Sequence, residues 1–244
     1  MSRSIKTEAM VLRTMRYGEA DRILHLFTPD HGRLSGIAKG VRRAKSRFGG
    51  RLEPFFRLNL VLYKGRSDLL TVTSAETVAA YPRLREHGRA IETASKACDA
   101  VSRLFETSDA NPAVFHLLAN ELALIDAGVG TDHDHATQAN QLAFRLKLLL
   151  AAGLAPQLNS CALCGDDEHL SGFSGAAGGT VCGACEGAAF PLTAEAHSFM
   201  VDALGKPLAE TPAASDLALR QAERAILETA EHHAHLRLRP ALSR

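Results

Sequence analysis

No apolar run in this sequence of 244 residues reaches the roughly 18 residues that a membrane-spanning helix needs. The longest candidate, residues 142–150, is interrupted by Arg145 and Lys147. The opening Met1-Ser2-Arg3-Ser4-Ile5-Lys6-Thr7-Glu8 lacks the apolar stretch of a secretion signal. A cytoplasmic protein without a membrane partner is therefore expected. Signatures of catalysis are missing as well. Neither His-Glu-x-x-His nor Gly-x-Ser-x-Gly occurs, so zinc-protease and esterase chemistry have no local signature. A zinc deaminase needs His-x-Glu, which is also absent. Five positions after Gly40 stands Lys45, where a phosphate loop requires its second glycine ahead of Lys-Ser/Thr. These absences point away from an enzyme.

Charge is unevenly spread, although the formal net charge is only +1. Residues 1–80 hold 15 Lys/Arg against 7 Asp/Glu, a net of +8, whereas residues 81–244 carry a net of −7. Such a split assigns the N-terminal third to a polyanionic partner and the remainder to another purpose.

Residues 5–78 have the pattern of short strands and tight turns. Segments 5–15 and 21–28 flank Arg16-Tyr17-Gly18-Glu19-Ala20. Pro29-Asp30-His31-Gly32 makes a second turn before residues 33–38, and segments 58–64 and 69–78 flank Gly65-Arg66-Ser67-Asp68. Five such strands suit a small closed barrel, which removes exposed edges; an SH3-like topology fits the count equally well. After Tyr81-Pro82 the sequence becomes rich in Ala and Leu at helical spacing. Asn111-Pro112 reads as a cap and first helical residue, with Gly128 as a stop. Further helices are expected over 135–152, 193–204 and 215–235. The expected organisation is a barrel over 1–80, then a helical domain over 81–244 carrying an insertion at about 158–190.

Cys161-Ala162-Leu163-Cys164 and Cys182-Gly183-Ala184-Cys185 define that insertion. Each Cys-x-x-Cys presents two sulfurs from one turn, and two such knuckles complete a tetrahedron around one structural zinc. Gly165 and Gly183 suit knuckles that need backbone freedom. Four thiolates close the coordination sphere, whereas catalytic zinc keeps a position open. Cys98 lies apart, in a helical stretch, as a small buried apolar residue. The ligand-like runs Asp132-His133-Asp134-His135 and His232-His233-Ala234-His235 read instead as a polar helix start, capped by Asp132 or Asp134, and a helix C-terminus.

Between Asp30 and Glu53 there is no acidic residue, while Arg33, Lys39, Arg42, Arg43, Lys45, Arg47 and Arg51 all fall there. Carried on a strand and the loop after it, these cations make a mobile positive surface able to follow a phosphate backbone. Phe48 is a candidate stacking face within it, with Phe55 and Phe56 weaker ones.

Several segments together resemble the RecO family of recombination mediators. Ala9-Met10-Val11-Leu12-Arg13 with Tyr17-Gly18-Glu19-Ala20-Asp21-Arg22 is similar to that family's first hairpin. His31-Gly32-Arg33-Leu34, Ala38-Lys39-Gly40-Val41-Arg42-Arg43 and Lys45-Ser46-Arg47 resemble its basic strand and loop. Leu52-Glu53-Pro54-Phe55 and Leu62-Tyr63-Lys64-Gly65 continue the likeness. Phe144-Arg145-Leu146-Lys147-Leu148-Leu149 through Gly153, Pro156, Leu158, Cys161, Cys164 and Gly165 resembles its helix leading into the zinc element. The resemblance implies an α+β multidomain protein: an oligonucleotide-binding (OB) barrel, then an all-α domain with an inserted four-cysteine zinc ribbon. It also implies binding of single- and double-stranded DNA, strand annealing, and recombinase loading together with RecR and single-stranded-DNA-binding protein, at the nucleoid. A zinc-stabilised adaptor whose basic barrel meets RNA or an acidic protein is the alternative.

Overall fold

The computed structural model describes residues 4–65, 69–185 and 189–241. Five strands form the first element of the fold: β1 (Ser4–Tyr17), β2 (Asp21–Thr28), β3 (Gly32–Ala38), β4 (Arg57–Tyr63) and β5 (Leu70–Ala79). Every second residue of β4, Leu58, Leu60 and Leu62, is buried, and Leu24 and Leu26 on β2 and Leu70 and Val72 on β5 meet them inside. This period of two turns one face of each strand inward. The strands close in the order β1-β2-β3-β5-β4, with β1 also paired to β4. The pairing of β3 with β5 is parallel and short, Gly36 facing Leu70 and Ile37 facing Thr71. That closure gives the five-stranded Greek-key barrel of the OB fold and settles the choice against an SH3-like order. Arg66, Ser67 and Asp68 of the expected β4–β5 turn lie outside the described residues.

Three helices pack with the barrel: α1 (Pro82–Glu86), α2 (Gly88–Leu104) and α3 (Pro112–Gly128). Ala90, Ala94, Ala97, Cys98 and Val101 form one buried stripe of α2 at helical spacing. Burial pushes the Cys98 thiol up to about 12. The Asn111 side chain caps α3 by accepting from the Val114 N–H at 3.1 Å, while its own N–H donates to the Pro29 carbonyl. The Arg33 N–H donates to the Thr107 carbonyl at 3.0 Å, which ties the α2–α3 connection to β3. A Cβ on Gly32, which has φ +51°, would stand 2.3 Å from the Asp109 carbonyl oxygen, so only glycine fits this approach. Packing thus groups residues 1–129 as one unit and 130–244 as a second.

The second unit contains α4 (Gln138–Ala151), the strands β6 (Leu170–Ser174), β7 (Gly179–Cys182) and β8 (Phe190–Pro191), then α5 (Ala194–Gly205) and α6 (Asp216–Ala234). Thr137, not Asp132 or Asp134, caps α4; Asp134 instead accepts from the Ala136 N–H in the preceding turn. Gly153 at φ +72° stops α4, and the Leu154 N–H bonds back to the Leu149 carbonyl. Thr193 and Ser215 cap α5 and α6. The three short strands form a sheet in the order β7-β6-β8. Among the described residues, no helix is long and apolar enough to cross a membrane.

Candidate nucleic-acid interface and metal centre

Residues 39–56 connect β3 to β4 as a chain of tight turns. Arg43, Ser46, Gly49 and Arg51 each donate a backbone N–H to the carbonyl three residues earlier. The segment is anchored to the barrel rather than loose. Val41, Phe48 and Leu52 are buried in the barrel core, the Gly40 N–H donates to Asp21 Oδ1 at 2.8 Å, and the Arg42 N–H donates to the Ala20 carbonyl at 2.9 Å. With its apolar residues turned inward, Lys39, Arg42, Arg43, Lys45, Arg47 and Arg51 all stand exposed. Arg47 and Arg51 each spend one guanidinium nitrogen on a β5 carbonyl, Val72 at 3.4 Å and Ala75 at 3.3 Å. The result is a pre-shaped cationic ridge.

Two of the expected contacts separate from this ridge. Arg33 sits on β3 at its opposite end, where it donates to the Ser102 carbonyl and pairs with Glu106 at 3.9 Å. Phe48 is only 2 % exposed, packed in the barrel core with the Arg47 guanidinium 4.7 Å above its ring. No face of that ring is open to a base, so its role as a stacking residue is corrected to one of anchoring the loop. The missed signal is the apolar trio Val41, Phe48 and Leu52, spaced seven and then four residues apart, which is the spacing of residues turned to one face. Phe55 and Phe56 are held as well: the Arg85 guanidinium lies 4.0 Å over the Phe56 ring, and Phe55, at φ +73°, donates its N–H to the Val11 carbonyl. Arg85 also donates to the Pro54 and Ala80 carbonyls.

On the outer face of β1 and β2, the Arg13 guanidinium meets His25 Nε2 at 3.3 Å. Burial, then the charges of Arg13 and Arg33, lower the His25 pKa from its ordinary 6.5. The neutral ring is the resting form there.

The four cysteines converge as the spacing requires. Cys161, Cys164, Cys182 and Cys185 place their Sγ atoms within 4.8 Å of one another, and the Cys164 and Cys182 sulfurs are 3.7 Å apart. A tetrahedral site with metal–sulfur bonds of about 2.3 Å has edges of about 3.8 Å, so the donor set is already the right size. Backbone N–H groups of Cys182 and Cys164 hold the Cys161 thiol down to about 6, while the neighbouring sulfurs of Cys182 and Cys164 push the Cys185 thiol up to about 12. So many sulfurs at this distance ionise together only around a cation. Gly165 adopts φ +84° as the first knuckle demands; Gly183 instead opens a single helical turn, Gly183–Cys185, without a left-handed backbone.

The ribbon is seated on its own unit by backbone approach and by two histidines. A Cβ on Gly179 would come within 2.2 Å of the Gln157 carbonyl oxygen. His197 of α5 bonds the Leu158 carbonyl at 2.7 Å, and His233 of α6 bonds the Gly175 carbonyl at 2.8 Å. His233 therefore supports the ribbon. Among the described residues, the cysteines are the group of ligand side chains that converges on a point.

The family model described as "Recombination protein O N terminal" matches residues 1–81, and that described as "Recombination protein O C terminal" matches residues 85–240. Among similar curated proteins, the "DNA repair protein RecO" of Rubrobacter xylanophilus is 36% identical over 230 residues, covering 91% of this chain and 88% of its own length. That of Geobacter sulfurreducens is 36% identical over 203 residues, 82% of this chain and 81% of its own. That of Bifidobacterium animalis subsp. lactis is 41% identical over 180 residues, 72% of each. The chain belongs to the RecO family of DNA repair and recombination proteins.

Proposed function

We propose that this protein binds single- and double-stranded DNA through the ridge formed by Lys39, Arg42, Arg43, Lys45, Arg47 and Arg51, and anneals complementary strands. The observation that carries the reading is the ridge itself: six exposed cations on a segment with no acid between Asp30 and Glu53, each presented outward by a buried neighbour or a tight turn. Neutralising two phosphate backbones on one such surface lowers the repulsion between strands. Contacts to phosphate leave base edges free to pair. No covalent chemistry is required, and the protein works as a binding and positioning factor without fuel.

In the family's role, annealing accompanies recombinase loading onto DNA coated by single-stranded-DNA-binding protein, with RecR as the second partner. Zinc is the metal that the four-cysteine set selects, since soft thiolates in a closed tetrahedron suit it. It would hold the two knuckles and the β6–β7 hairpin together, and its chemistry there is structural. Titration of the full chain with single-stranded DNA, duplex and RNA, beside pull-downs with RecR and single-stranded-DNA-binding protein, tests the reading. DNA binding with capture of both partners supports it. A preference for RNA, or capture of an acidic protein with no DNA binding, replaces it with the adaptor role.

A further inference from the structure

With Phe48 in the core, the ridge itself holds cations and no open aromatic face. Of the tyrosine and phenylalanine rings among the described residues, Tyr17, 54 % exposed, and Tyr63, 39 % exposed, stand open. They lie at opposite ends of β1: Tyr63 pairs with Ser4, and Tyr17 is its last residue. Tyr17 faces Asp21 across the β1–β2 turn, and this same turn holds the ridge, through Asp21 to the Gly40 N–H and Ala20 to the Arg42 N–H. Met15, 46 % exposed, precedes Tyr17 by two residues and so shares its strand face at a spacing of about 7 Å.

We propose that Tyr17 is a base-stacking platform beside the cationic ridge and gives this protein its grip on unpaired strands. The inference rests on the DNA-binding reading above and deepens it. Phosphates on Arg42 and Arg43 leave the attached bases beside the turn, where an open phenol ring offers one face. Stacking on an aromatic ring accepts any base, which suits an annealing factor that must not choose sequences. A duplex keeps its bases in its own stack and cannot use the platform. Pairing of two strands therefore removes the tyrosine's contribution and favours release of the product.

The test compares wild type, Tyr17→Ala and Tyr17→Phe on oligo(dT), on an abasic strand of equal length, and on duplex, at several salt concentrations. Tyr17→Ala should weaken oligo(dT) binding by about 5- to 150-fold, the range of one lost base stack, with abasic and duplex binding within about twofold of wild type. The salt slope should not move, and Tyr17→Phe should restore affinity. A second readout exploits the absence of tryptophan from the sequence. Tyr17→Trp creates a single reporter whose fluorescence should be quenched by oligo(dT) and not by the abasic strand. Unchanged oligo(dT) affinity in Tyr17→Ala, or an equal loss on the abasic strand, overturns the inference while leaving the ridge intact. Absence of DNA binding by the wild type would overturn both.

Discussion

Replacing Arg42, Arg43 and Lys45 together with alanine removes half of the six exposed cations of the ridge. The expected size of the effect follows from counterion release. Arg47 and Arg51 are each tethered to a carbonyl by one nitrogen and keep others for phosphate, whereas Lys39, Arg42, Arg43 and Lys45 have no such tether among the described residues. Between four and six phosphate contacts then give a log–log salt slope of roughly −2.8 to −4.2 on single strands and roughly −3.6 to −5.4 on duplex. At five contacts, raising salt from about 50 to 200 mM lowers single-strand affinity on the order of 100-fold. The triple variant should flatten the slope by about 2 units and weaken binding alike on all sequences, because phosphate contacts carry no base information. Fluorescence anisotropy with labelled oligonucleotides at four or more salt concentrations measures both. A triple variant with the wild-type slope would refute the reasoning and move the DNA path to another face of the barrel.

Phe48→Ala should destabilise the barrel by about 3–5 kcal/mol in urea unfolding, as a buried ring that anchors the loop, and should leave the salt slope of the folded fraction unchanged. Cys164→Ser should cost the ribbon its metal and much of its fold, because binding energy at such a site is folding energy, while DNA binding by the barrel survives; elemental analysis should find one zinc per wild-type chain. The lowered pKa of His25 means that the unfolded chain takes up a proton before the folded one does. Stability should therefore fall as pH drops below about 6.5 and level off once pH passes the depressed value, a trend that His25→Gln should flatten in urea midpoints measured across pH.

Much of this architecture is legible in the sequence alone, and the exceptions have physical causes. The barrel strands announce themselves because one face is buried, so Leu58, Leu60 and Leu62 alternate with outward residues. Their order does not, since it depends on a two-pair contact between β3 and β5 across a long loop, which no local pattern encodes. The convergence of the four cysteines is legible because a tetrahedron of sulfurs would impose just this spacing on the chain. The cationic ridge is legible as composition, but its division is tertiary: Arg33 leaves it by pairing with Glu106, far along the chain, and Phe48 is drawn inward with Val41 and Leu52. Tyr17 escapes notice in sequence because it falls within the segment read as a turn, 16–20, whereas the structure carries β1 through it and leaves its ring exposed on the last strand residue. The capping of α4 by Thr137 is hidden among neighbouring acids able to do the same.

The central claim, that a cationic ridge on an OB barrel brings complementary strands together without fuel, is tested most directly by annealing two complementary oligonucleotides in the absence of any nucleotide. The wild-type protein should accelerate duplex formation, the acceleration should be lost in the Arg42→Ala, Arg43→Ala, Lys45→Ala triple variant, and added ATP should change neither rate. Annealing no faster than the protein-free control, or acceleration that persists undiminished in the folded triple variant, would contradict the account.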